Sequence, residues 1–335
     1  MAEPALLAAL RARVKYVFIL FQENRSFDSY FAAFPGARGL YSQPSAATPG
    51  FEQPLMNTDG SMTTIRPFRI GPAQHAADTG DVDHSHAGMA AKLDVEDGRA
   101  RMDRFALVEE MKWTPKGEKP SLAAKQMGEL TMAHADCNTV PLLWNYASRF
   151  VLFDNMFQHT VGPSTPNAIN IIAGQTGETQ WVRHPEQAAR SGGSALAGGG
   201  EPVLADLYPF WGSAADHTSG QPWNPHHWPG KQLNQTYATL PLTLTGRALR
   251  QTAPADRDPA GDLADVAQDL GAIAGAGREA VPWGWYQEGY DREPTDPPDA
   301  PAEGTHRSYA THHNTPQYFG YLANNPLMSA HLHGL

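Results

Sequence analysis

One cysteine, Cys137, stands among 335 residues, so no intrachain disulfide is available. A lone thiol of this kind reads as a small packing residue rather than a nucleophile. No apolar run approaches the roughly 20 residues that a membrane-spanning helix needs. The short run Ala5-Leu6-Leu7-Ala8-Ala9-Leu10 has no basic segment ahead of it, unlike a signal peptide, and reads as a short amphipathic helix leading into a first strand. Positive charge is also scarce: 25 Lys and Arg stand against 35 Asp and Glu, a net charge of −10. A general nucleic-acid binder would carry a basic surface, so that class is excluded. An anionic phosphate substrate is not, because a bound metal ion reverses the local field. Two adjacent aspartates occur nowhere, and neither Asp nor Glu follows His313.

What remains is a globular composition, 41% hydrophobic and 18% charged. The length admits two domains or one large α/β domain, and a core can form without staples. The most informative stretch is Tyr16-Val17-Phe18-Ile19-Leu20-Phe21-Gln22-Glu23-Asn24-Arg25-Ser26-Phe27-Asp28. Its six leading apolar residues suit a strand buried on both faces of a parallel sheet. Phe27, Tyr30, Phe31 and Phe34 then recur at helical spacing, with Ser26 or Asn24 as cap and Asp28 in the positive first turn. Glu23 and Asn24 therefore stand where a strand ends and a helix begins, the usual place for ligands in open α/β sheets. A carboxylate beside an amide offers hard oxygens to a cation. Taken alone, the pair is equally an ordinary solvated Glu with a capping Asn.

Pro35 to Pro72 reads as long loops with a hairpin. Asp81-Val82-Asp83-His84-Ser85-His86 precedes a helical stretch expected to end near Phe105, and Lys112 to Asp136 reads as polar and turn-rich. Pro141 suits the first turn of a helix. Phe150-Val151-Leu152-Phe153 has the look of a second buried strand, leading through Gly162-Pro163-Ser164-Thr165-Pro166-Asn167 into a helix with Ile169, Ile172 and Ala173 on one face and Gly174 at its end. Thr165 is the expected cap, which places Ser164 just outside a helix N-terminus, where an anion is favoured. A serine there becomes a nucleophile if positive charge helps it ionise. Composition alone also allows an ordinary loop.

Ser191 to Gly200 is a Gly/Ser/Ala-rich loop. Trp211, Trp223 and Trp228 with His226 and His227 suit either a substrate cleft or a loop-rich core. Asp262 to Ala276 reads as a helix, Val281 to Gln287 as a strand, and Asp291 to Gly304 as a surface loop. His312-His313-Asn314-Thr315-Pro316 is a histidine pair before a proline, which by itself is only a loop.

Three of these blocks carry a resemblance. Gln22-Glu23-Asn24-Arg25-Ser26-Phe27-Asp28, the segment from Asn138-Thr139-Val140 to Gly174, and Trp283-Gly284-Trp285-Tyr286-Gln287 with His312 to Phe319 are similar to motifs of the bacterial phosphoesterase family. That family includes phospholipase C of the non-haemolytic type and an acid phosphatase. The resemblance implies an α/β fold with a mostly parallel sheet sandwiched by helices, an alkaline-phosphatase-like core, and a loop-rich insertion. It implies one divalent metal ion held by Glu23, Asn24 and Ser164, with Ser164 also the nucleophile. Asp81 and His84 match an Asp-x-x-His-Ser element whose histidine faces the substrate phosphate. His84, His312 and His313 are then the catalytic histidines, and His86 and Asn167 the expected substrate-binding residues.

The implied substrate is a phosphate monoester or a phospholipid. Relatives also carry a later Asp-Asp element that completes the metal site, absent here, so the expectation is one incomplete catalytic domain over 1–335, with a loop-rich subdomain at 180–280. A complementing chain or an oligomer would then supply the missing part, and the bare chain would be non-catalytic or weakly active. Many relatives are exported, so compartment stays open.

Overall fold

The computed structural model describes residues 5–76, 78–185, 203, 205–209, 215–216, 221–222, 232–233, 235–245, 266, 281–287, 311–323 and 331–334. Helix α1 (Ala5–Arg13) is exposed along its whole length. Helix α2 (Phe27–Phe31) begins where expected: the Ser26 hydroxyl, not Asn24, caps it by accepting from the Ser29 amide at 3.2 Å. Its aromatic face packs as the spacing predicts. Phe31 and Phe34 meet Trp144 of helix α6 (Pro141–Arg149) with ring centroids 6.4 and 5.0 Å apart, and the Trp144 indole donates to Tyr30 O at 2.8 Å. Pro141 occupies the first turn of α6, where its missing N–H costs nothing.

The expected hairpin is β1 (Gln53–Met56) against β2 (Met62–Ile65), antiparallel. Strand β3 (Phe68–Arg69) pairs in parallel with β6 (Ala133–His134). Between them lie helix α3 (His86–Leu93), the small hairpin of β4 (Val95–Glu96) and β5 (Arg99–Ala100), and helices α4 (Phe105–Lys112) and α5 (Leu122–Leu130). Helix α3 stops at Leu93, short of Phe105, because Asp94 adopts a left-handed conformation (φ 47°) and turns the chain into the hairpin. The polar segment after Lys112 contains a helix rather than only turns. Ser121 caps α5 by accepting from Ala124 N, and Ala124 and Gly128 face α4.

Helix α7 (Ser164–Ala173) is followed by α8 (Glu178–Arg183), the short strands β7 (Tyr208–Pro209), β8 (Ala215–Asp216), β9 (Gln221–Pro222) and β10 (Gln232–Leu233), helix α9 (Leu240–Thr245), β11 (Trp285–Gln287), helix α10 (Gly320–Ala323) and β12 (Leu332–Gly334). Strands β7 and β10 pair in parallel, as do β11 and β12, while β8 and β9 are antiparallel. The expected strand at Val281 to Gln287 is thus confined to its last three residues. The core gathers Ile169 and Ile172 of α7 with Trp181, Tyr237, Leu242, Tyr318, Phe319 and Leu322. Trp211, Trp223, Trp228, His226, His227 and the Asp291–Gly304 stretch lie outside the described residues, as does nearly all of the expected Asp262–Ala276 helix.

The mixed helix-and-sheet content with small parallel pairings is compatible with an α/β fold. Two expected strands are nevertheless absent. Tyr16 to Phe21 belongs to no strand, with Phe18 91% exposed, and Phe150, Val151 and Phe153 are also open to solvent. A strand buried on both faces needs a neighbour at each edge and a layer on each face. Among the described residues neither segment has one.

Two substitutions check this packing. An added Cβ at Gly128 would stand 2.7 Å from Ala106 O and 2.8 Å from Leu55 Cδ1, so Gly128→Ala should cost about 1–3 kcal/mol in urea unfolding by forcing α5 off α4 and β1. Phe18→Lys should change stability by no more than about 0.5 kcal/mol and raise solubility, since it loses no packing. A large destabilisation at Phe18 would contradict the exposed placement of its segment.

Candidate functional site

Helix α7 begins at Ser164, with Pro163 as the residue before its first turn and Gly174 (φ 66°) closing it in the left-handed conformation. Ser164 is therefore the first helical residue rather than one standing outside a Thr165 cap. Thr165 points elsewhere: its hydroxyl donates to Leu207 O and accepts from Leu207 N, both at 3.1 Å. The positive end of the helix does attract an anion, and the protein supplies its own. The Asp206 carboxylate accepts from Thr165 N at 3.0 Å. With Pro166 lacking an N–H, little of the first turn is left for a ligand's oxygens. Sequence reasoning missed Asp206; its only signal is a carboxylate two residues before the short strand β7.

Ser164 is 5% exposed. Its hydroxyl stands close enough to the Glu23 carboxylate to favour the charged form, and Glu23 Oε2 lies 2.9 Å from His313 Nδ1. Burial alone would push Glu23 upward. The His313 hydrogen bond and charge, the Ser164 hydrogen bond and the His312 charge together outweigh it and hold the carboxyl below its ordinary value. The rings of His312 and His313 sit 4.3 Å apart, nearly edge to face. The Tyr318 hydroxyl lies 3.1 Å from His312 O and also bonds Leu207 O, tying the histidine turn to the Thr165 anchor. Burial first, then the charges of His313 and His84, press the His312 imidazole below its ordinary value, against the pull of Asp206 and Glu23.

His84 thus stands near enough to His312 to repel it when both are charged. Its Nδ1 is 2.9 Å from Val82 O and 3.5 Å from Asp81 Oδ1. A carbonyl only accepts, so Nδ1 carries the proton and Nε2 is left for the site. His86 does the same with Val161 O, and its Cβ packs against Gly162, whose φ of 157° brings the two backbones together. The structure therefore brings Glu23, Ser164, His84, His312 and His313 into one neighbourhood, with His86, the first residue of α3, against the Val161–Gly162 loop in front of Ser164.

Two expected residues are placed differently. Asn167 is buried and its amide is spent on its own loop: Nδ2 faces the carbonyls of Thr160, Gly162 and Pro163 at 3.0 to 3.3 Å, and Oδ1 accepts from Thr160 N. It shapes the turn before Ser164 and has no capacity left for substrate. Asn24 is exposed, in a left-handed conformation (φ 57°), with Arg25 Nη1 on its carbonyl.

For a hard cation, the Glu23 carboxylate and Ser164 hydroxyl are suitable in kind, with Asn24 next in the chain. They fall short in number. Among the described residues no three His, Cys, Asp or Glu side chains form a metal-sized cluster, and Glu23 alone supplies one anionic ligand.

The pH dependence of stability follows from His312. A group depressed in the folded state contributes stability above its unfolded value of 6.5 and loses it as pH falls through the folded value. Glu23 has the same sign at lower pH. The metal-free protein should therefore unfold at lower urea at pH 5 than at pH 7.5, and His312→Gln should flatten that difference. Parallel pH curves for the two proteins would refute the buried, neutral state of His312. Asn167→Ala should cost about 1–3 kcal/mol by leaving the 160–163 carbonyls and the Thr160 N–H unpaired, read by urea unfolding.

Comparison with known proteins now bears on this site. The phosphoesterase family matches residues 14–333, a span that includes each of the five side chains brought together here. A non-hemolytic phospholipase C from Burkholderia pseudomallei (strain K96243) is 28% identical over 164 residues, which is 49% of this chain and 21% of that protein. The matched region thus spans about a fifth of that relative's length. On the near-complete match, the chain belongs to the phosphoesterase family.

Proposed function

We propose that this chain is a phosphoric-ester hydrolase of the phospholipase C or acid phosphatase type, with Ser164 as nucleophile. The observation that carries this reading is the convergence of Ser164, Glu23 and His313 from segments more than a hundred residues apart. The supporting scaffold would be an alkaline-phosphatase-like α/β core over 1–335, with 180–280 as a loop-rich subdomain. The substrate class is a phosphate monoester or a phospholipid head-group ester.

In this reading Ser164 Oγ attacks phosphorus, its proton passes to the Glu23 carboxylate, and the ester P–O bond breaks to leave a phosphoserine. Water then attacks that phosphorus, giving a proton to a neutral imidazole, and the P–Oγ bond breaks as Glu23 returns its proton to Ser164 and the phosphate product leaves. His312 and His313 donate to the non-bridging oxygens, His84 joins them through Nε2 only when its ring is cationic, and one of the three protonates the departing alcohol. In an empty site, burial and the neighbouring imidazoles disfavour a charge on His312. An arriving phosphate anion reverses the balance of charge around the ring and raises its affinity for a proton, which it takes from solvent and can pass to the leaving alcohol. A divalent ion held by Glu23, Asn24 and Ser164 would neutralise phosphate charge and favour the serine alkoxide.

Because one carboxylate holds such an ion weakly, a second reading has its own support. The further acidic ligands would come from a complementing polypeptide that also covers the exposed Tyr16–Phe21 and Phe150–Phe153 segments. The bare chain would then turn over slowly, and supplying that polypeptide would raise the rate by orders of magnitude.

The test is hydrolysis of 4-nitrophenyl phosphate and of phosphatidylcholine, with and without added divalent ions. Ser164→Ala should lower turnover by about 10³-fold or more, and Glu23→Gln by about 100-fold or more. Activity that survives Ser164→Ala would remove the serine from the mechanism.

A further inference from the structure

Away from the reacting groups lies a fully buried ion pair, Lys92 of α3 with Glu109 of α4, 2.6 Å apart and 1% and 0% exposed. A buried pair of this kind gives little net stability, since well-packed apolar residues of the same volume often serve as well or better. Its hydrogen bonds show what it holds. Lys92 Nζ donates to Asp83 O at 2.5 Å, and Glu109 Oε2 accepts from Asp83 N at 2.9 Å. Both backbone groups of one residue are thus gripped by one pair, and that residue directly precedes His84. The Trp113 indole donates to the other Glu109 oxygen at 2.9 Å, which fixes the carboxylate itself.

The far side of His84 is also held. The Asp83 carboxylate accepts from Ser85 N at 2.9 Å and sits 3.3 Å from Lys112 Nζ, while Ser85 Oγ caps α3 through Gly88 N. Glu109 belongs to α4, which packs on α5 and β1, so the grip refers His84 to the largest helical unit of the N-terminal half. We infer that Lys92 and Glu109 are positioning residues that fix the ring orientation and tautomer of His84, directing its bare Nε2 at the phosphoryl-binding site. The inference rests on the proposed role of His84 only for what that nitrogen meets. The orientation itself is a separate matter.

The experiment uses the full 335-residue chain and long-range ¹⁵N–¹H NMR of the His84 ring at pH 8. The wild-type ring should be mainly Nδ1–H, because Val82 O accepts from it. In Lys92→Met, Glu109→Leu the charges are replaced together, so no lone buried charge remains. The folded double variant should revert to Nε2–H, the form an unconstrained imidazole favours in water. Lys92→Gln, Glu109→Gln is the milder second variant, with charge removed and size kept. A folded variant that retains the Nδ1–H ring would overturn the inference, and failure of both variants to fold would overturn it too, by assigning the pair to folding alone. Inorganic phosphate added to the wild type should shift the His84 signals. Absence of that shift, with the tautomer result intact, would sink the phosphoester reading of His84 and leave the positioning role standing.

Discussion

The Glu23 carboxylate lies 2.9 Å from the His313 imidazole and near the Ser164 hydroxyl, so a single acidic group joins three segments that the chain keeps far apart. Everything else near the site is arranged to make that junction possible. Ser164 is delivered by a helix whose apolar face is sunk in the core through Ile169 and Ile172, and His313 by a turn tied down through Tyr318. Glu23 arrives from the start of the chain, held by the Ser26-capped helix and its aromatic contact with α6. In a site this enclosed a carboxylate stays ionised only if partners offset its burial, and the histidines and serine do so.

The turn before Ser164 shows the same economy. Asn167, one turn into α7, reaches back to three carbonyls and one amide of residues 160–163. Gly162 allows the His86 backbone to come close, and the buried Lys92–Glu109 pair anchors the loop that carries His84. These contacts keep the side chains of the candidate site on fixed backbone rather than on free loops, which is what the proposed reaction, dependent on sub-ångström placement, would require. The helix N-terminus, which looked available for a phosphate, is partly answered by Asp206. In the proposed reaction, phosphate recognition would then fall mainly to side-chain donors, the histidines above all.

Against this tight centre stand Tyr16–Phe21 and Phe150–Phe153, apolar, outside any described sheet and largely open to solvent. They run directly into Glu23 on one side and toward Ser164 on the other. Large apolar side chains open to solvent beside backbone that belongs to no sheet make a surface on which another chain can pack. The two most exposed apolar segments of the described residues are thus the approaches to the site itself, which links its completeness to whatever covers them.

Local chemistry determined a good part of this from sequence alone. The Ser26 cap, the aromatic spacing of α2, Pro141 in the first turn of α6 and Gly174 after α7 act within a few residues, so periodicity and capping reveal them. Glu23, Ser164, His84 and the His312–His313 pair were legible as candidates because each stands at an element end or in a motif that resembles the family. Their meeting was not legible, because it depends on contacts across more than a hundred residues. Tertiary structure alone decided the rest. Asn167 proved to be spent on backbone carbonyls, which no spacing reveals. Asp206 occupies the helix start from 41 residues away. The apolar runs that read as buried strands stayed open, because apolar composition shows that a segment suits burial, while only neighbours at its edges and faces can bury it.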